Sequence, residues 1–163
     1  MNSSHTIAES IEQVLAHPDF IEGTHWRECT YSAGQKIISK GEQNNDIFLI
    51  NKGKARVLAE VELDKGKQIL PGVCDLGPGD VFGELSLFDE LPRSATVQVI
   101  EDCSVVQING EELNKFLRCR PEIGYEFVTR MMKVVVGRLR KNNQRVGSLI
   151  AWGMKVHKID DHF

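Results

Sequence analysis

The stretch "VFGELSLFDELPRSATVQVI", residues 81–100, decides the fold of this chain. Both of its ends are apolar and rich in β-branched residues, which is typical of strands. Between these ends lie a short segment that opens with Gly83 and Glu84, and then the run 92–94 of sequence Pro-Arg-Ser. Because a guanidinium keeps its charge even when partly buried, an arginine fixed behind a proline at the start of a strand indicates a site for an anion.

Length and composition indicate one globular domain. The chain has 163 residues, of which 41% are hydrophobic and 26% charged, and its formal net charge is −3. That charge provides no field that would attract nucleic acid or an anionic membrane. No apolar run approaches the roughly 20 residues that span a bilayer, and the N-terminus lacks the pattern of a secretory signal. The sequence therefore predicts a cytoplasmic domain without a membrane partner.

The cysteines and histidines do not form a metal-binding pattern. The four cysteines lie far apart without a C-x-x-C pair, and the five histidines are scattered. We interpret the cysteines as reduced thiols rather than as disulfides or metal ligands, and we expect no metal site.

Residues 24–110 are predicted to form short strands. The β-branched segments of this region, which glycines separate, are "QKIISK", "DIFLIN", "KARVLAEVEL", "KQILPGVCDL", "ATVQVI" and "CSVVQI". Strands at this spacing, with no helix long enough for a parallel crossover, indicate an antiparallel sandwich or jelly roll. We expect hairpin turns at residues 51–53 and 64–66, where a glycine can supply the positive φ.

Helices are predicted on both sides of the β region. In residues 1–23, Thr6 and Glu9 form a capping box at the start of a short amphipathic helix. In residues 111–163, the segment "EELNKFLRCR" forms a short helix that Pro121 ends, and Pro121 then opens a long helix.

The long helix carries a coiled-coil seam. Its side chains follow a strict 4-3 alternation for three heptads, at Val128, Met132, Val135, Leu139, Asn142, Val146 and Leu149. Charged faces flank the seam, so we expect residues 128–150 to pair with a second copy in a homodimer. Packing of the seam against the β region is the alternative.

The residues after Gly83 are suited to a phosphate. A single turn of helix at this point leaves the amides near Leu85 and Ser86 without strand partners, and such amides attract an anion. The planar fork of Arg93 fits a phosphate through two parallel hydrogen bonds.

Two further residues extend this candidate site. Ser94 adds a hydroxyl and an amide beside Arg93. Glu84 would repel a phosphate, so we expect it to accept hydrogen bonds from sugar hydroxyls, and a site with both properties fits a nucleotide. We expect these residues to serve the ligand and not the core. A surface salt bridge between Glu84 and Arg93 is the alternative when the two residues are taken alone.

Residues 81–97 resemble the phosphate-binding cassette of the cyclic nucleotide-binding domain family. The family pattern is F-G-E-L-A/S-L, a variable piece and then P-R-A/S/T-A-T, and this chain has "FGELSLFDELPRSATV". The segments "GQKIISKGEQNNDIFLINKGKARV" and "DLGPGDVFGE" are also similar to that family, so the resemblance covers roughly residues 25–150. It implies an eight-stranded antiparallel jelly roll, or β-roll, with a short N-terminal helix and a long C-terminal dimer helix, which binds cAMP or cGMP.

The resemblance also implies roles for the cassette residues. Glu84 would hold the ribose 2′-hydroxyl, and Arg93 would hold the cyclic phosphate. The amides of Ser86 and Ser94 and the hydroxyl of Ser94 would assist, while Gly83 would let the backbone approach the ligand. The residue after the arginine is often threonine in cGMP-selective members, so Ser94 leads us to expect cAMP, with cGMP possible.

The segment "GRLRKNNQRVGSLI" resembles the long dimer helix of bacterial catabolite activators. A Thr-Ser pair of that helix reaches the adenine, and the aligned pair here is Asn142 and Asn143. Asparagine can offer a donor and an acceptor to adenine, but Asn142 could equally fix the register of two paired helices. Trp152 could cover the base or close the seam.

The sequence favours a non-enzymatic sensor that signals cyclic-nucleotide occupancy through its C-terminal helix to an unknown effector protein. The alternative is the ligand-binding part of a transcription regulator that lacks its DNA-binding domain; Met1 and the single-domain length favour the free-standing sensor. Direct DNA contact is not expected, because a basic run such as "RLRKNNQR" is usually a solvated helix face. An enzyme is not expected either, since no nucleophile set, metal-ligand set or Walker loop is present.

Overall fold

The computed structural model of this chain describes residues 3–59, 61–63, 67–69 and 72–156. In chain order its elements are α1 (Ser3–Leu15), β1 (Trp26–Tyr31), β2 (Lys36–Ile38), β3 (Ile47–Leu58), β4 (Val61–Leu63), β5 (Lys67–Ile69), β6 (Gly72–Leu76), β7 (Val81–Phe82), α2 (Leu85–Asp89), β8 (Thr96–Ile108), α3 (Gly110–Arg118) and α4 (Pro121–Val156).

The predicted architecture of antiparallel β-structure with flanking helices is confirmed. Six strands form one sheet with the path β1-β8-β3-β6, in which β2 also pairs with β8 and β7 with β3. Strands β4 and β5 pair with each other in a second, two-stranded sheet. Within the described residues the large sheet therefore has six strands, where a single roll of eight was expected. The turn predicted at residues 64–66 lies outside the described residues.

The hairpin turn predicted at residues 51–53 is wrong. Strand β3 runs through these residues and pairs with β8. Strand β8 is itself a single strand over two segments that were predicted as separate strands. Gly53 has a φ of +86°, the pairing register shifts beside it, and a Cβ at this position would collide with the carbonyl of Asp102. Gly53 therefore allows a β-bulge where two long strands approach closely.

The core lies on both faces of the large sheet. Successive side chains of a strand point to opposite faces, and this alternation divides the buried start of β3 between two clusters. Ile47 and Leu49 pack with the helices, whereas Phe48 and Ile50 pack with the other cluster. The ring of Phe48 stacks on that of Phe82, with 5.1 Å between centroids, and this contact holds β7 at the start of the cassette.

Helix α1 begins one turn earlier than predicted. It starts at Ser3, so Thr6 lies within the helix and not at the predicted N-cap position. No glycine or proline precedes Thr6 to stop the helix from extending in this direction. Its apolar side chains Ile7, Ile11 and Val14 are buried in the cluster that contains the helices.

The prediction of two C-terminal helices is confirmed. The side chain of Asn109 caps α3 by accepting a hydrogen bond of 3.0 Å from the amide of Glu112. Pro121 opens α4 at the first helical position, where its missing N–H costs no helical hydrogen bond.

Helix α4 presents two different faces. Phe127, Met131 and Val134 pack into the core. The predicted seam lies on a neighbouring face, where Leu139 is 57% exposed and Leu149 is 67% exposed. The seam therefore does not cover the β region of its own chain. Among the described residues, none of the helices has the length and apolarity needed to cross a membrane.

Candidate functional site

Gly83 forms the sharp turn at the start of the cassette. It follows β7, has a φ of +82° and precedes Glu84, the N-cap residue of α2. A Cβ on Gly83 would lie 2.8 Å from the carbonyl oxygen of Asp46 and 2.9 Å from Nη1 of Arg93. Both the left-handed conformation and this close approach require glycine.

We expect Gly83→Ala to destabilise the fold by more than the roughly 1–2 kcal/mol that the left-handed conformation alone imposes on a side chain. Gly34→Ala is the matched control, because Gly34 has a φ of +88° and open space around the position of a Cβ. Urea denaturation of both variants measures the difference. Equal losses of stability would contradict a steric role for Gly83.

Glu84 is a buried carboxylate that α4 neutralises. Its side chain is 8% exposed, and its Oε1 accepts a hydrogen bond of 2.7 Å from Nη1 of Arg138. Nη2 of Arg138 donates to the carbonyl of Val81. Because an unpaired buried charge is costly, Arg138 supplies the partner that Glu84 requires in this state. The carboxylate predicted for a ribose hydroxyl is thus also the point where the cassette is joined to α4.

Arg93 is buried, with 4% of its surface exposed. Nη1 donates to the carbonyl of Gly83 at 2.8 Å, and Nη2 donates to Oδ1 of Asn44 at 3.0 Å and to the carbonyl of Asp46 at 2.6 Å. Burial lowers the pKa of Arg93 from its ordinary value, while Asp46, Glu42 and Glu84 oppose that shift. No carboxylate of the described residues forms an ion pair with this guanidinium.

The Nε atom of Arg93 is buried without a hydrogen-bond partner in the described part of the chain. A buried cation with a free donor and no ion-pair partner is suited to an anionic ligand. The alternative of a salt bridge between Glu84 and Arg93 is wrong, because Glu84 pairs with Arg138.

Arg93 also has a structural function, which contradicts the prediction that it serves only the ligand. Its three hydrogen bonds join Gly83 to the loop of residues 44–46, so the guanidinium crosslinks the cassette to the β2–β3 connection. The loop offers two neutral oxygens to Nη2, and the carbonyl of Gly83 accepts from Nη1, so two nitrogens of Arg93 are satisfied without cancelling its charge.

The other predicted site residues differ in their exposure. Ser86 is buried in α2, whereas Leu85 and Ser94 are exposed. Asn142 and Asn143 are exposed on α4, beginning about one turn beyond Arg138. The cassette thus brings Gly83, Glu84, Ser86 and Arg93 to one region, and the two asparagines lie on the helix that reaches it through Arg138.

Sequence reasoning missed three residues that organise this region. Arg138 continues the 4-3 spacing of Phe127, Met131 and Val134, and a cation that extends an apolar stripe indicates a buried anion opposite it. Asn44 and Asp46, which hold Arg93, lie in a polar loop whose sequence pattern does not identify them.

Comparison with known proteins identifies the family. The model of the cyclic nucleotide-binding domain matches residues 28–119, which is more than half of the chain. The chain is 33% identical over 129 residues to the cAMP-activated global transcriptional regulator Vfr of Pseudomonas aeruginosa, a match covering 77% of this chain and 56% of that protein. It is 28% identical over 120 residues to the CRP-like cAMP-activated global transcriptional regulator of Mycobacterium tuberculosis, over 74% of this chain and 50% of that protein.

Solved structures show the same fold. A cyclic nucleotide-binding domain from Methylobacillus flagellatus superposes with a TM-score of 0.72 at 17% identity, over 88% of this chain and 80% of that one. The catabolite activator protein of Thermus thermophilus has a TM-score of 0.63 at 24% identity, over 86% of this chain and 59% of that one. The chain spans about half the length of the curated relatives that it matches. The match to the family model and the agreement in fold lead to one conclusion: this chain belongs to the cyclic nucleotide-binding domain family.

Proposed function

We propose that this chain is a non-enzymatic sensor whose ligand is cAMP. The observation that carries the proposal is the buried guanidinium of Arg93, which has no carboxylate partner among the described residues and whose Nε lacks an acceptor. A cyclic phosphate would supply both the negative charge and the acceptor. The relatives named as cAMP-activated regulators support cAMP as the ligand.

In this proposal the cassette residues take the roles that the family pattern implies. Arg93 binds the cyclic phosphate, assisted by the amides of Ser86 and Ser94 and the hydroxyl of Ser94. Glu84 accepts a hydrogen bond from the ribose 2′-hydroxyl. Leu85 contributes the first helical amide after the turn at Gly83, and Asn142 and Asn143 are the candidates for contact with the base.

The proposal also assigns the larger architecture. Residues 24–110 are the ligand-binding β-roll, in which the six-stranded sheet and the β4–β5 pair together provide eight strands. Residues 1–23 are the N-terminal helical segment, of which α1 packs against the β-roll, and residues 111–163 transmit the signal. Arg138 supports this division, because it joins α4 to the carboxylate that would receive the ribose hydroxyl. A ligand that competes with or strengthens this contact changes the position of α4.

Comparative titration calorimetry of the chain with cAMP and cGMP tests the ligand assignment. We expect cAMP to bind more tightly, because the residue after the cassette arginine is Ser94 and not the threonine that is frequent in cGMP-selective members. Tighter binding of cGMP would reverse the assignment of the base, and the absence of binding by either nucleotide would remove the proposed function.

We further propose that residues 128–150 form a parallel homodimer. The exposed apolar side chains of Val128, Met132, Leu139, Val146 and Leu149 support this proposal. Such a stripe is larger than a monomeric protein usually exposes on one helix.

Leu139→Lys should convert the dimer to a monomer, because a charge in the seam cannot be buried against its copy. Gln144→Lys adds the same charge outside the seam and should leave the dimer intact. Light scattering measures the mass, and circular dichroism confirms that both variants remain folded. A wild-type chain that is already monomeric at micromolar concentration would contradict the proposal.

A second candidate function rests on the lengths of the relatives. The chain spans about half of proteins that are named as transcriptional regulators. The same sensor would then serve as the ligand-binding part of a transcription regulator, with no direct DNA contact from its own 163 residues. In either role the same cassette residues bind the nucleotide, so the titration applies to both.

A further inference from the structure

A cavity lies between the cassette and α3. Its volume is about 540 Å³, and its walls are the loop of residues 43–45, helix α2 with the two residues that follow it, and one face of α3. The lining includes Ser86, but the other predicted ligand residues do not contribute to it. This size is within the range of sites that bind small molecules or short peptide segments.

The polar groups of the cavity suit a peptide backbone. Four carboxamide side chains line it, those of Gln43, Asn44, Asn45 and Asn114. Each carboxamide offers a donor and an acceptor, the same pair that a peptide unit presents. Gln43 and Asn45 make no side-chain hydrogen bond within the part of the chain that the structure describes, so both remain available to a ligand.

The charges of the cavity have both signs. Glu90 and Glu111 line it together with Lys115 and Arg118. Lys115 is already paired with Glu112 at 2.7 Å, whereas Arg118 is exposed and forms no ion pair with any described residue. The carboxylates disfavour a polyanion such as nucleic acid, and the mixed charges favour a segment that carries acidic and basic side chains.

Glu90 occupies a backbone conformation that favours glycine. Its φ is +56°, and it is the only residue other than glycine with a positive φ among those that the structure describes. It ends α2 at a position where glycine would be accommodated without strain. Leu91 beside it is 61% exposed, and Phe88 of α2 is 50% exposed, which extends the cavity as an apolar rim.

The cavity is physically connected to the candidate ligand site. Oδ1 of Asn44, which lines the cavity, accepts the hydrogen bond from Nη2 of Arg93 at 3.0 Å. On the opposite wall, Nδ2 of Asn114 donates to the carbonyl of Leu87 at 3.4 Å and joins α3 to α2. A ligand that shifts Arg93 or α2 therefore changes the walls of the cavity.

From these observations we propose that the cavity docks an extended segment of mixed charge from the effector protein. The segment pairs its backbone with the carboxamides of Gln43 and Asn45, and it places an acidic side chain against Arg118 and a basic one against Glu90. This inference rests on the proposed function, because it treats the cavity as the output surface of a nucleotide sensor. Docking and nucleotide binding are then reciprocally linked through Asn44 and α2.

A library of random peptides displayed on phage, selected on the full chain with and without saturating cAMP, provides the probe. We expect enriched peptides that contain both acidic and basic residues. Arg118→Glu should weaken their binding by about tenfold or more, as expected for loss of a principal interface charge. Arg140→Glu is the matched control, because Arg140 is equally an exposed arginine but lies on α4, and it should leave their binding unchanged.

Glu90→Gly provides a second, independent variant. It should raise the melting temperature, because it removes the strained conformation. It should also weaken the binding of the selected peptides and leave the affinity for cAMP unchanged. No enriched peptide, or peptides that bind both variants as tightly as the wild type, would overturn the docking site. Peptide affinity that is identical with and without cAMP would overturn its function as an output surface. Direct titration of cAMP keeps these outcomes separate from a failure of the nucleotide site itself.

Discussion

Arg93→Ala should reduce the affinity for a cyclic nucleotide by about 30-fold to several thousandfold. This range corresponds to the roughly 2–5 kcal/mol lost when one member of a buried charged pair is removed, at about 1.4 kcal/mol for each factor of ten. The cyclic phosphate would remain in the pocket without the guanidinium that neutralises it.

Arg93→Lys should lose much of the affinity too, because a single ammonium cannot reproduce the two parallel hydrogen bonds of the fork. Glu84→Ala should cost less affinity, since Glu84 would contact only a hydroxyl.

Arg93→Ala should also lower the melting temperature of the ligand-free protein. Arg93 donates three hydrogen bonds, to Gly83, Asn44 and Asp46, and its truncation removes all three of these links between the cassette and the β2–β3 connection. Calorimetric titration and thermal denaturation of the same variant measure both effects, with Arg140→Ala as a control at an exposed arginine. A reduced melting temperature with unchanged nucleotide affinity would mean that Arg93 is structural only.

Arg138→Ala should destabilise the ligand-free protein strongly, because it leaves the carboxylate of Glu84 buried without a partner. Loss of one member of a fully buried ion pair costs about 3–5 kcal/mol, and we expect the lower end of this range because Arg138 is 28% exposed. The substitution also removes the hydrogen bond to the carbonyl of Val81, which releases α4 from the start of the cassette.

A double-mutant cycle isolates this interaction. Glu84→Gln removes the charge that Arg138 neutralises, so Arg138→Ala should have a much smaller effect in that background. Chemical denaturation of the four proteins gives the coupling energy between the two side chains. Additive losses of stability would show that the two side chains do not stabilise each other across the gap between α4 and the cassette.

The predicted secondary structure succeeded where the local pattern decides the structure. Pro121 was predicted to open a long helix and does so, because a proline at the first helical position acts on adjacent backbone groups. Gly53 shows where this reasoning fails. A glycine between two β-branched runs indicates a turn in the sequence, yet the chain uses it for a bulge because β8 passes close beside it. Only the tertiary pairing distinguishes these two uses.

The candidate site was predictable in its cassette but not in the contacts that support it. Glu84 and Arg93 follow a short, specific pattern within one continuous segment. Their partners come from elsewhere in the chain: Arg138 lies 54 residues after Glu84, and Asn44 lies 49 residues before Arg93. Contacts over such separations depend on how α4 and the β2–β3 connection pack, which no local motif specifies. The prediction that Arg93 does not support the fold was wrong for this reason.

A crystal structure of the chain grown with cAMP tests the central claim most directly. We predict one nucleotide at each cassette, with a phosphate oxygen within about 2.7–3.2 Å of guanidinium nitrogens of Arg93, the range of an N–H···O hydrogen bond. The ribose 2′-hydroxyl should donate to the carboxylate of Glu84. A nucleotide bound elsewhere, while Arg93 keeps only its contacts with Gly83, Asn44 and Asp46, would contradict the account.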